Sequence, residues 1–151
     1  MAGTSTQTLA RLIASGRVAV GLAAVTAPTL MARPWIGDAS AGTASRLLAR
    51  TMGGRDLALG IGALRALSVS DQEARPWVAL GGTADAVDAL ATAIAFRSLP
   101  RRSRWGILAL TVGAAVVSIR VAVSLDRPTG PEQAGPDPAA LAERGRPGDG
   151  H

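Results

Sequence analysis

The chain has 151 residues, a formal net charge of +5 and a hydrophobic fraction of 48%, a length that makes one domain the natural count. It has no cysteine, which excludes a disulfide framework, a thiolate metal site and a cysteine nucleophile. With one Phe, three Trp and no Tyr, its apolar mass is Ala, Leu, Val, Ile and Gly, and such small residues suit helices that approach closely in lipid.

Residues 1–8 read as a flexible N-terminus, and residues 9–31 are long enough to span a bilayer, with Arg17 well inside. A cleaved signal peptide is the rival for 18–27. Against it, Pro28 directly follows the plausible cleavage residue Ala27, and no basic residue precedes Arg11. After Arg33, Pro34 and Trp35 comes a polar connection. Residues 44–52 then set Arg46 and Arg50 four apart beside Leu47 and Leu48, as in an interfacial amphipathic turn or the start of the next helix. A second span is expected over 52–70, carrying Arg55, Asp56, Gly60, Gly62 and Arg65.

Residues 71–76 form a short turn, and Pro76 is expected in the first turn of a third helix over 76–97. Pro100 stops that helix in a basic loop carrying Arg101, Arg102 and Arg104, and Trp105 sits at an interface position. The fourth span, 105–125, is interrupted only by Arg120. Beyond it, residues 128–151 hold five of the nine prolines and all five of the last glycines, so they read as a disordered tail.

The third helix carries the most informative stretch, residues 81–92. On a helix, Gly81, Asp85, Asp88 and Thr92 share one face, and the other faces are Ala, Val and Leu. At mid-membrane depth an unpaired carboxylate is costly and marks a functional interior. No segment reaches eighteen uncharged apolar residues, and a central Asp costs roughly 2.5–3.5 kcal/mol on insertion scales. Helix three is therefore expected to enter beside neighbours whose arginines neutralise it. The count balances, with Arg17, Arg65 and Arg120 against Asp56, Asp85 and Asp88.

The expected fold is all-α, a four-helix transmembrane bundle in the cell membrane, with a soluble Ala-rich helical domain as the rival. Arginines cluster in the loops between helices one and two and between three and four, which places those loops in the cytoplasm and both termini outside.

The run Gly54-Arg55-Asp56-Leu57-Ala58-Leu59-Gly60, followed by Ala84-Asp85-Ala86-Val87-Asp88-Ala89, resembles a group of small four-helix membrane proteins common in actinobacteria and of unknown function. The resemblance covers about residues 9–125. It implies a four-helix bundle with Arg55, Asp56, Asp85 and Asp88 as polar positions, and it supplies no activity.

The acids can be a proton relay, a substrate site, half of a metal site, or a structural ion pair with Arg. By depth along the helices Arg17 is level with Asp85, while Asp88 is a turn deeper with no basic residue beside it, so Asp85 is expected to be structural and Asp88 the proton-binding acid. Gly60, Gly62, Gly81 and Gly82 read as helix-packing positions, not a phosphate loop, because no strand precedes them. No cofactor, metal or nucleic acid partner is expected; membrane lipids, a second copy or a partner subunit are. Three function classes remain open: a binding or accessory protein for a lipid or partner subunit, a small proton-coupled carrier, and a membrane enzyme using an Asp general acid on a lipid or isoprenoid.

Overall fold

The computed structural model describes residues 2–125, with side chains from residue 5 onward. Its elements are helices: α1 (Ala2–Thr26), α2 (Pro28–Ile36), a 3-10 turn (Gly37–Ala41), α3 (Thr43–Leu67), α4 (Asp71–Ile94) and α5 (Arg104–Leu125). The fold is all-α. The expected tail, 128–151, lies outside the described residues.

Residues 2–8 are helical rather than a flexible arm. Long-range contacts hold this first stretch: Gln7 Nε2 donates to Asp71 Oδ1 (3.3 Å), Arg11 donates to the Leu67 carbonyl (3.2 Å), and Ala10 is fully buried. The span expected over 9–31 is broken in two. Pro28 disfavours helical geometry at Ala27, which sits at φ −125°, ψ 58°, and itself opens α2 as the first residue, where a missing N–H is harmless. Helix α2 stops at Gly37, whose φ of +59° suits glycine and whose N–H returns to the Arg33 carbonyl.

The basic segment at 44–52 is the first part of α3, which begins at Thr43 and not near Met52. Helix α4 also begins earlier than expected. The Ser70 hydroxyl caps it by accepting from the Glu73 N–H (3.1 Å), so Pro76 falls in the second turn. The loop after α4 is pinned at several points: Leu99 is buried, Ser103 Oγ donates to the Pro34 carbonyl (2.6 Å), and Arg104 stacks over Phe96 (5.0 Å). Trp105 meets the same Phe96 edge-on, with ring centroids 4.7 Å apart.

The four long helices pack in a ring, α1 on α3, α3 on α4, α4 on α5 and α5 on α1, with direction alternating from one to the next. Each turns a stripe of small residues inward. On α1 it is Ala10, Ala14, Arg17, Gly21 and Ala24; on α3, Gly53, Asp56, Gly60, Ala63 and Leu67; on α5, Ile107, Thr111, Ala115, Ser118, Ala122 and Leu125. These positions recur every three or four residues, the spacing that keeps side chains on one helical face. Two of the long helices, over Ser5–Thr26 and Arg104–Leu125, are long and apolar enough to cross a membrane. Helices α3 and α4 carry Arg55, Asp56, Asp85 and Asp88 along their lengths.

The tightest approach is between α1 and α3. A Cβ added at Gly21 would lie 2.7 Å from the Gly53 carbonyl oxygen, and one added at Gly53 would lie 2.7 Å from the Gly21 carbonyl oxygen and 2.8 Å from Ala24 Cβ. Neighbouring Gly54 has nothing within 4 Å. Gly53→Ala should therefore lower stability by about 1–3 kcal/mol through overpacking. Gly54→Ala, which meets no obstacle and gains helix propensity, should raise it by up to about 1 kcal/mol. Thermal unfolding of the two purified variants checks the pair; equal shifts would show that the helices do not touch at Gly53.

Candidate functional site

Five charged side chains meet where the inward stripes of α1, α3 and α4 converge. Arg17 Nη1 donates to Asp56 Oδ1 (3.0 Å) and Arg17 Nη2 to Asp85 Oδ2 (2.6 Å) and to the Gly81 carbonyl (3.2 Å). Ser118 of α5 donates its hydroxyl to the same Asp85 Oδ2 (3.1 Å). One guanidinium and one carboxylate thus bring all four long helices together. Arg55 extends the chain of charges: its Nη2 reaches Asp56 Oδ1 (3.2 Å), and Nη1 and Nη2 engage both oxygens of Asp88 (3.2 and 2.8 Å).

Glycine makes this possible. A Cβ on Gly81 would lie 3.2–3.3 Å from the Arg17 guanidinium, so the bare backbone lets the planar group lie against α4. Gly82, one residue on, turns to α5, where a Cβ would lie 3.0 Å from Ile119 Cγ1 and 3.2 Å from Ser118 Cβ. Gly60 accepts α1, with Val18 Cγ2 at 2.7 Å from its notional Cβ, and Gly62 accepts the ring of Trp77. Gly21 and Gly53 form a further close contact that the sequence reading did not single out.

Arg17 and Asp85, expected level in depth, are in direct contact. Asp88 was expected to lack a basic neighbour, and that expectation is corrected: Arg55 grips it with two hydrogen bonds. The cause is the early start of α3 at Thr43, which puts Arg55 in the middle of a helix rather than at its entry. Arg65 and Arg120, expected in the network, lie outside it and are exposed. Depth within the spans and a balance of charges placed them there, but neither falls on the inward stripe of its helix. Ser118 could have been found from the sequence, because it continues the Thr111, Ala115, Ala122 spacing of α5.

The interior around this network is filled. The enclosed space beside Arg17, lined by Ala14, Leu59, Gly60, Val78, Gly81 and Ser118 among others, is about 10 Å³, room for about one water molecule. Among the described residues no group of three acids or histidines could hold a metal ion. Three carboxylates face two guanidiniums, so the cluster carries one negative charge in excess. Ion pairs and hydrogen bonds hold the four long helices around charges whose side chains are 10–17% exposed at Arg17, Asp56 and Asp85.

Removing one partner from so enclosed a cluster strands the others. Arg17→Gln should cost about 2–3 kcal/mol, somewhat below the cost of breaking a fully dry pair. Arg55→Gln, whose side chain is 32% exposed, should cost less. Combining Arg17→Gln with Asp85→Asn should cost clearly less than the sum of the single losses, a coupling that denaturant or thermal unfolding of the four proteins of the cycle measures.

No family model, no curated protein and no solved structure matches this chain.

Proposed function

We propose that the chain is a multi-pass protein of the cell membrane, a four-helix transmembrane bundle whose Asp/Arg network locks the helices together while the outer surface binds a lipid or a partner subunit. The observation that carries this reading is the inversion of ordinary burial. Among the described residues, 23 large hydrophobic side chains are exposed, including Leu12, Leu22, Leu80, Leu90, Leu110 and Val123, and only six, Leu67, Val78, Leu99, Ile107, Val121 and Leu125, are buried. The interior is built instead from Ala, Gly and the charge network. In water such an exterior is a liability; in lipid it is the favourable face.

Pairing supports the two charged helices in the same setting. A lone Asp at mid-span opposes insertion by about 2.5–3.5 kcal/mol. In this bundle each acid of the network faces a guanidinium: Arg55 of α3 pairs with Asp88 of α4 within the hairpin that residues 68–70 join, and Arg17 of α1 supplies the partner of Asp85, so the three helices can insert together with their acids paired. The likeness of the motifs at 54–60 and 84–89 to small four-helix membrane proteins of actinobacteria fits this architecture, and membership in that group is part of the proposal.

The tight interior favours a binding or accessory role over an enzyme, since the space beside Arg17 is about 10 Å³, too small for a lipid or isoprenoid substrate. A proton-coupled carrier is the second reading, favoured by the one excess negative charge, which a single proton would cancel. Infrared spectra of the reconstituted protein at neutral pH test it: a protonated carboxyl band lost in Asp88→Asn supports proton binding, and its absence removes that reading.

Orientation follows from charge. One end of the bundle carries Arg33, Arg46, Arg50, Arg97, Arg101, Arg102 and Arg104 with Asp38 as the acid among them, and the other mixes Arg11, Arg65, Arg75 and Arg120 with Asp71 and Glu73. Positive loops stay in the cytoplasm. In intact cells a membrane-impermeant thiol reagent should label Gln72→Cys and spare Ser98→Cys until the membrane is opened. The reverse pattern overturns the orientation, and labelling of both in a soluble fraction overturns the membrane bundle.

A further inference from the structure

On the outer face of the α3–α4 pair, at the end that holds the loop 68–70, lies an open groove of about 450 Å³ lined by Ala58, Ile61, Gly62, Arg65, Ala66, Val69, Glu73 and Trp77. Its volume falls in the range of small-ligand sites. Its walls divide by height. Arg65 lies two residues before the last residue of α3 and Glu73 two after the first of α4, so the two charges sit at the rim. Ile61 and Ala58 lie one and two turns deeper, and Trp77 lies one turn below Glu73.

Both rim charges are free. Among the described residues no ion pair or hydrogen bond engages the Arg65 guanidinium or the Glu73 carboxylate. For Glu73 this has a local cause. Ser70 caps α4 and Glu73 stands three residues on, the arrangement in which the Glu carboxylate would reach back to the Ser70 N–H. That N–H already donates to the Ala66 carbonyl (3.0 Å), so the carboxylate is released toward the groove. Below the rim the walls are apolar and uncovered: Ile61 is 44% exposed and Trp77 39%. The Trp77 ring rests on Gly62, where any Cβ would run into it, so the ring is held as a flat wall.

We propose that this groove binds a zwitterionic phospholipid with a primary-ammonium headgroup, its phosphate on Arg65, its ammonium on Glu73, and the upper part of an acyl chain along Trp77, Ile61 and Ala58. The proposal rests on the membrane reading of the bundle and names the lipid for it. The order of the groups matches the ligand: two opposite charges side by side at headgroup height and apolar walls running inward. A guanidinium takes a phosphate through paired N–H donors. A primary ammonium offers three N–H donors to a carboxylate, whereas a quaternary choline offers none. A purely anionic headgroup would meet Arg65 but also the repelling Glu73. A partner helix would need its own opposite pair at the same height.

The experiment uses the full chain with Trp77 as its sole tryptophan (Trp35→Phe, Trp105→Phe), reconstituted in vesicles that contain brominated lipids with ethanolamine, choline or glycerol headgroups. Flotation first establishes that the protein is in the bilayer. Ethanolamine lipid should quench Trp77 in preference to the other two by roughly threefold, the preference that the exposed pair of Glu73 with a primary ammonium supplies. Glu73→Gln should reduce that preference, and Arg65→Gln, which loses the partner of the phosphate common to all three lipids, should weaken quenching by each of them, both without changing thermal unfolding. Stronger quenching by the glycerol lipid, equal quenching by all three, or no quenching by any lipid, as when a partner or second copy covers the groove, overturns the assignment while leaving the membrane bundle standing. Failure of the protein to float with the vesicles overturns the bundle reading itself.

Discussion

The bundle depends on the Arg17 guanidinium. It is the group that touches α3 through Asp56 and α4 through Asp85 and Gly81, and through Asp85 it reaches Ser118 on α5. A planar group with five donors in a fixed fork can serve several acceptors at set angles, which an ammonium on a flexible stem does less well. Its place requires small neighbours. Gly81 leaves the backbone of α4 bare beneath it, and Gly21, Gly53 and Gly60 let α1 and α3 approach until backbone atoms of one helix contact those of the other. Charge and glycine are therefore one device: the glycines set the helix spacing at which the ion pairs close, and the ion pairs hold helices whose inward stripes offer little apolar area.

That division of labour explains the unusual core. Ala10, Ala14, Ala63, Ala66, Ala74 and Ala122 supply much of the buried apolar cluster, with Leu67, Val78, Val121 and Leu125 as its larger members. Alanine buries little surface, so in water such a core would give each helix a weak hold on the next. In a bilayer, van der Waals contact at short range and hydrogen bonds between helices take over, and both improve as the side chains between helices shrink. The large hydrophobic residues are left for the outer surface, where chain packing among helices places no demand on their shape.

Much of this was legible in the sequence, and the gaps have a common cause. The four long helices and the shared face of Gly81, Asp85 and Asp88 follow from periodicity, whereas the break at Pro28 fell inside a span read as continuous. Boundaries did not follow either, because α3 continues through a basic amphipathic segment whose composition reads equally as a surface turn. That shift of the α3 start from Met52 to Thr43 carries Arg55 into the helix middle and supplies the partner that Asp88 was expected to lack. Arg65 and Arg120 were assigned to the network by depth and by a balance of charges. The ladder of small residues on each helix is the better guide, since it selects Arg17 and Ser118 and leaves those two arginines outside.

The excess carboxylate is the part of the network that packing alone does not require. Asp85 and Asp56 share Arg17 at the centre, where four helices meet, and their removal would strand a charge. Asp88 stands at the end of the chain of pairs, bound to Arg55 alone, and both are more exposed than the central group, at 24% and 32% against 10% for Arg17. A cluster with two acids and two arginines would be neutral and would still hold α1, α3 and α4 together through Arg17. Asp88 therefore adds a charge at the most accessible edge of the network, with a partner that has a second acid to turn to.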